Sequence, residues 1–268
     1  MGPMYGKGTV GFPRRIVCLT SESTEIAYLL GAGDRVVGVT GTAHRPPEVR
    51  EKPRVGAFTT FRVDKILALE PDLVLGFSDL QADVARELIR SGVTVLCTNQ
   101  RSLDDILRAI VLTGGALGLA AEAGEIVQDM LDEVKQLREF ASVWPHRPGV
   151  YFEEWHDPLI VGIRWVSEVI EIAGGRDVFA ELRTERAASG RVVAPGEVIV
   201  RNPDVILASW CGSPVDLDAI RSREGWETIT AVREGRLFGL DGDDILSPGP
   251  SLMRGLRQVH EIIQSAIK

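Results

Sequence analysis

Pro71-Asp-Leu-Val-Leu-Gly-Phe-Ser-Asp79 has the pattern of a buried strand entered through Pro-Asp, and Pro203-Asp-Val-Ile-Leu-Ala-Ser-Trp-Cys211 repeats it 132 residues later. The two stretches share the proline, the aspartate and the central leucine (Leu75 and Leu207), with like apolar neighbours. Each also follows a short helical segment. Agreement in order, spacing and position predicts a duplicated architecture. Working outward from the first copy, apolar runs of strand length recur at 15–20 (RIVCLT), 36–40 (VVGVT), 72–77 and 93–98 (VTVLCT). Between them EIAYLLGAGDR, VDKILALEP and DVARELIRSG read as helices closed by glycine or proline. Strands alternating with helices predict a parallel sheet covered on its faces.

Around the second copy the alternation returns as GVYFEE from Gly149, a helix near WVSEVIEIAGG, the strand after Pro203, a helix near DLDAIRSREGW, a strand in GRLFGLD and a last helix from about Ser251. The middle of the chain differs. Ser102-Leu-Asp-Asp105 resembles a capping box, and a break is expected at Gly114-Gly115 or Gly118. Beyond it Ile126, Val127, Met130, Leu131, Val134 and Leu137 form one stripe on a helix from about Glu122 to Ala141, roughly 30 Å long. Pro145 and Pro148 forbid its continuation. The expected organisation is a tail over 1–14, an α/β lobe over 15–118, a linking helix over 119–147 and a second α/β lobe over 148–268. The fold class is α/β, with two Rossmann-like lobes and a ligand cleft at the strand carboxyl ends.

The 268 residues, 44% hydrophobic and 25% charged, are the proportions of a folded protein able to bury roughly three-quarters of its unfolded surface. A net charge of −8 repels phosphate backbones and anionic membranes, which argues against nucleic acid as a partner. Cys18, Cys97 and Cys211 are an odd number, and the first two sit in apolar runs where a thiol packs as a small hydrophobe. No run approaches the ~20 apolar residues of a membrane span, and no leader is recognisable at the start. Either the chain stays in the cytoplasm or a signal segment is missing from it as written.

Several motifs fail on spacing. Gly31-Ala-Gly33 lacks the third glycine and the preceding strand of a dinucleotide fingerprint, and reads as a helix C-cap. Gly2…Gly6-Lys7-Gly8 lacks the spacer and hydroxyl of a phosphate loop and reads as tail. His260-Glu261 has Gln264 where a zinc-binding helix needs its second histidine, so a solvated helix face is expected. No nucleophile elbow or paired-cysteine motif is present.

The densest chemistry is Phe152-Glu153-Glu154-Trp155-His156-Asp157-Pro158, just past a predicted strand. Glu153 or Glu154 with His156 and His44 would suit a borderline divalent ion; the alternative is that His156 is a polar loop residue. Phe58, Phe61, Phe77, Trp155, Trp165 and Trp210 all fall in or beside predicted strand-end loops. Each taken singly fits core packing as well as ligand contact, but their joint placement suits a large planar guest. Arg164 reads either as a partner for an anionic group on that guest or as a rim salt bridge. Glu22 reads as a polar anchor or as a helix-start carboxylate.

RIVCLTSESTEIAYLLGAGDRVVGVT, PRVGAF, VDKILALEPDLVLG, EEWHDPLIVG, WVSEVIEIAGGRDVF and SPGPSLMRGLRQVHEII, taken in order, resemble the substrate-binding proteins of cobalamin and iron-siderophore ABC importers. The resemblance implies a class III periplasmic-binding-protein fold, with two lobes joined by a backbone helix. It implies a monomeric, non-enzymatic binder of cobalamin or another metal chelate, with no catalytic cofactor. Siderophore or haem binding is the alternative; a bare-metal or oxyanion carrier and a chelatase-like enzyme stand behind it. The resemblance makes Trp155 and Trp165 ligand walls, with Glu154 opening the same motif. It further implies docking on an ABC permease through one acidic side chain per lobe, matched here by Asp64 and Glu197, and a periplasmic or cell-surface location.

Overall fold

A computed structural model describes residues 11–267, so the first ten positions of the expected tail lie outside the described residues. In chain order the elements are β1 (Ile16–Cys18), α1 (Ser21–Leu29), β2 (Val36–Val39), α2 (Val63–Ala68), β3 (Leu73–Phe77), α3 (Ala82–Arg90), β4 (Val95–Thr98), α4 (Leu103–Leu117) and α5 (Ala120–Ser142). They continue as β5 (Gly149–His156), β6 (Leu159–Val161), α6 (Arg164–Ile172), β7 (Arg176–Asp177), α7 (Pro195–Arg201), β8 (Val205–Ala208), α8 (Leu217–Arg221), α9 (Thr230–Arg233), β9 (Leu237–Gly239), α10 (Gly242–Ile245) and α11 (Leu252–Ile267). The chain divides into two compact units: residues up to Asn99 with Ala109–Glu125, and Gln100–Arg108 with Ile126 onward. The division therefore falls inside α4 and inside α5, not at a loop.

The first unit carries a parallel sheet in the order β2-β1-β3-β4. In the second, β5 pairs in parallel with β7 and β8, and β8 with β9, so β7-β5-β8-β9 repeats the same order. The Pro-Asp echo has the same structural cause in both units. Asp72 accepts the backbone N–H groups of Arg14 (2.7 Å) and Arg15 (2.9 Å), and Asp204 accepts that of Gly149 (2.6 Å). In each unit this aspartate, just ahead of a central strand, ties down the entry of the neighbouring strand. The residues before the prolines, Glu70 (φ 47°) and Asn202 (φ 44°), are both left-handed. That conformation ends α2 and α7 where proline forbids their continuation.

Helix starts follow their sequence signals. Thr20 caps α1, with Ser23 N–H on its hydroxyl at 3.2 Å, and Ser102 and Asp105 exchange hydrogen bonds at the start of α4. α4 runs through Gly114-Gly115 and stops only at Gly118, whose φ of +75° suits glycine. Gly114 has a different reason: a Cβ there would lie 2.4 Å from that of Ala123, so the pair lets α4 and α5 approach closely. α5, at 23 residues, is about 34 Å long. Met130 and Val134 of its stripe are buried, but Leu131 is 42% exposed and does not belong to it.

Val17, Leu19, Val55, Ile66, Val74 and Leu88 form one core around β1 and β3. Tyr151, Phe179, Val198, Ile206, Trp226 and Ile229 form another around β5 and β8. Two expectations fail on burial. Cys97 is exposed, because β4 is the edge strand of its sheet, and only Cys18 packs as a small hydrophobe of the two. His260 is buried, with Nδ1 3.2 Å from the Ala173 carbonyl and its ring 5.0 Å from that of Trp144, so it does not face solvent.

Candidate functional site

The second unit departs from the repeated sheet at one place. β5 is eight residues long: its first two pair with β7, and from Glu153 onward it pairs antiparallel with β6. The expected strand-end loop after Glu154 is thus a hairpin, turned at Asp157-Pro158. Glu153 faces Val161 and Trp155 faces Ile160, leaving Glu154 as an extra residue in a β-bulge. A bulge re-aims the side chains around it. Here it sends two adjacent carboxylates to different arginines.

Glu153 is 0% exposed. It takes Arg223 on both oxygens at 2.5 and 2.9 Å, the Trp210 indole N–H at 3.0 Å and the Tyr151 hydroxyl at 3.1 Å. Burial, and then the Glu153 charge, hold the Tyr151 hydroxyl protonated well above the usual phenol range. Glu154 pairs in two-point fashion with buried Arg191 at 2.6 and 2.9 Å and accepts the Ile163 N–H at 2.9 Å. Arg191 also donates to the Val161 carbonyl of β6. Both carboxylates are consumed in bracing the hairpin. Glu154 therefore buttresses the motif and does not present its charge outward, and Glu153 is closed to a metal ion.

What the braces position is an aromatic cluster. The exposed His156 ring lies 4.8 Å from the Trp155 ring and 4.3 Å from the Trp210 ring. Trp155 is half-buried and donates its indole N–H to Asp157 O at 3.0 Å. Trp210 is 8% exposed, packed into the core on one side. Trp165 is not part of this cluster. It sits in the first turn of α6, 4% exposed, its N–H on the Ile245 carbonyl at 3.0 Å, and it packs as core and not as an open wall. Arg164 is a surface residue paired with Glu168 at 2.8 Å, matching its salt-bridge reading.

In the first unit, Glu22 is 5% exposed near the start of α1, its Oε1 without a hydrogen-bond partner. Burial pushes its carboxyl up to about 7. Phe77 is buried at the end of β3, 6.4 Å ring to ring from Phe58, and Phe61 packs on the first core. His44 is exposed. Gln81, which the sequence did not single out, ties these strand ends together: Oε1 accepts Phe77 N–H, and Nε2 donates to Leu19 O and Phe58 O. Arg191 and Arg223 also went unnoticed, since their partners lie 37 and 70 residues away. Among the described residues no three His, Cys, Asp or Glu side chains gather as metal ligands.

Asp64, in the first turn of α2, is exposed and bound in two-point fashion by Arg62 at 3.0 and 2.7 Å; that hydrogen bonding holds its carboxyl below the usual range. Glu197, in the first turn of α7, accepts the Ala194 N–H at 2.8 Å. A cavity of about 590 Å³ in the second unit is lined by Arg138, Trp144, His146, Arg147, Glu168 and Glu171 among others, and by no hairpin residue.

Residues 16–243 match the family described as periplasmic binding protein. The chain belongs to the periplasmic binding protein family. One relative in it, described as an uncharacterized ABC transporter substrate-binding lipoprotein of Bacillus subtilis, is 31% identical over 261 residues, 94% of this chain and 80% of that one. A vitamin B12-binding protein of Vibrio cholerae is 28% identical over 269 residues, covering 96% and 92%. Among solved structures, the apo form of the periplasmic haem-binding protein RhuT from Roseiflexus sp. superposes with a TM-score of 0.82 at 27% identity, covering 95% of this chain and 99% of that one. The family resemblance expected from the sequence is thus met over nearly the whole chain. Among the described residues of this family member no helix is long and apolar enough to cross a membrane.

Proposed function

We propose that this chain captures a planar metal chelate of the tetrapyrrole class, a corrinoid first among them, and delivers it unchanged to an ABC permease outside the cytoplasm. The observation that carries the reading is the Trp155-His156-Trp210 cluster, braced from beneath by two arginine–glutamate pairs. Flat aromatic surface on a rigid support is what a large macrocycle needs, because little ordering entropy remains to be lost on binding. The B12-binding and haem-binding relatives favour the same ligand class. Trp155 and the exposed face of the cluster contact the chelate. Asp64 and Glu197 meet basic side chains of the permease, and the free chain is monomeric.

Equilibrium dialysis against cyanocobalamin, ferric protoporphyrin IX, a hydroxamate siderophore and a catecholate siderophore tests this reading. Retention of a tetrapyrrole, recovered chemically unchanged, supports it. Retention of a siderophore alone moves the ligand class to iron chelates without a macrocycle, and conversion of the tetrapyrrole replaces binding with catalysis.

A further inference from the structure

We propose that the cavity of about 590 Å³ in the second unit binds a planar organic anion, an aromatic carboxylate of one or two rings, at a site separate from the aromatic cluster. Its walls are the last turn of α5, the connection over 144–147 and the carboxyl half of α6. Arg147 stands two residues before β5 and Gly174 two residues before β7, so the cavity lies at the amino ends of these strands. His156 closes β5 at its other end, roughly 25 Å away along the strand. The inference is therefore independent of the chelate reading.

The floor of the cavity is flat and apolar. The half-buried Trp144 ring packs on that of buried His260 at 5.0 Å, and a Cβ on Gly174 would come within 2.2 Å of it. Gly174 has a φ of +100°, which favours glycine, so backbone and indole meet directly and the ring is held from two directions. Ala141 and Ile172 extend the apolar surface.

The charge around this floor is unbalanced. Glu168 is taken by Arg164 at 2.8 Å and by the Leu103 N–H at 2.7 Å, and Glu171 by Arg183 at 3.4 Å. Arg147 donates from one nitrogen to the carbonyls of Glu171 (2.9 Å) and Gly175 (2.5 Å), closing the end of α6. Arg138 has no such task. It lies one turn before the end of α5, where the Ser142 hydroxyl donates to the Glu139 carbonyl and the Trp144 backbone N–H to that of Ala141. Among the described residues the Arg138 guanidinium makes no hydrogen bond or ion pair, and His146 and the Trp144 indole N–H make no hydrogen bond. Four arginines thus stand against two carboxylates, in a protein whose net charge is −8. Surplus positive charge over an aromatic floor selects an anion attached to a ring, and the planar fork of an unpaired guanidinium fits a carboxylate at two points. The same arginines repel a cation.

Isothermal titration calorimetry of the full chain with 2-naphthoate, 2-naphthamide and 2-naphthylmethylammonium, repeated on Arg138→Gln, tests the site. The carboxylate is expected to bind one to one and at least about tenfold more tightly than the neutral amide, and the ammonium not at all. Arg138→Gln removes that preference and leaves the melting temperature unchanged, since the side chain it replaces is exposed and holds nothing in the fold. Arg138→Lys restores only part of the preference, having the charge without the fork. Equal affinity for carboxylate and amide, a preference that survives in Arg138→Gln, or no binding of 2-naphthoate at millimolar concentration overturns the proposal. Loss of 2-naphthoate binding in Trp155→Ala overturns it as well, by placing the anion at the aromatic cluster.

Discussion

Arg223 grips Glu153 at two points, 2.5 and 2.9 Å, across 70 residues of sequence, and its guanidinium lies 4.5 Å over the ring of Trp226. The pair joins the base of the β5–β6 hairpin to the core of the second unit. Removing one partner leaves the other charge buried and unpaired, so Arg223→Ala is expected to cost about 3–5 kcal/mol in urea unfolding. The double change Glu153→Met with Arg223→Met restores only part of this, since Tyr151 and Trp210 then lose their acceptor. A loss under about 1 kcal/mol for Arg223→Ala would show that the pair is solvated.

Glu22 gives stability a pH dependence of definite sign. Its folded carboxyl lies near 7 against an ordinary 4.5, through burial first of all. Below the lower value both folded and unfolded states are protonated; between the two only the folded state holds the proton; above 7 the folded state must carry a buried charge. The contribution is thus full in acid and is lost as pH rises to and through about 7. Glu22→Gln flattens that limb and makes the protein more stable at pH 8, by on the order of 1–3 kcal/mol. Parallel stability curves for the two proteins across this range would contradict the assignment.

The two tryptophans that the sequence treats alike are expected to separate. Trp155→Ala weakens tetrapyrrole affinity by about 1–3 kcal/mol in calorimetry and changes the melting temperature little, being half-buried at the rim. Trp165→Ala costs about 3–5 kcal/mol of stability, the loss typical of a truncated core aromatic. Interchanged results would return Trp165 to the ligand surface.

How far the sequence leads is visible in these residues. Pro71 and Pro203 were legible because their work is local, proline stopping a helix, whereas the anchoring of strand entries by Asp72 and Asp204 was not, since the backbone groups they accept lie 55 to 58 residues away. The glycine-closed helices and the Ser102 capping box were legible for the same local reason. The β6 strand was not, since Leu159–Val161 is three residues long and follows a proline that reads as a stop. Glu154 was recognised as part of a motif, but its pairing with Arg191 was not, because Arg191 comes into range only through the fold. Cys97 was misread because an apolar run does not disclose whether its strand is central or at the edge.

Asp64→Asn and Glu197→Gln, alone and together, are expected to leave tetrapyrrole affinity unchanged while weakening association with the permease, most of all at low salt. The amide at Glu197 keeps an acceptor for the Ala194 N–H, so α7 retains its cap. Permease association undiminished in the double variant, measured by surface capture of the reconstituted transporter, would move the docking contacts elsewhere.

A crystal structure of the chain grown with ferric protoporphyrin IX or aquocobalamin tests the proposal most directly. The macrocycle is expected against Trp155 and His156, with the hairpin backbone and both arginine pairs unmoved. A macrocycle bound with none of Trp155, His156 and Trp210 in contact would contradict it.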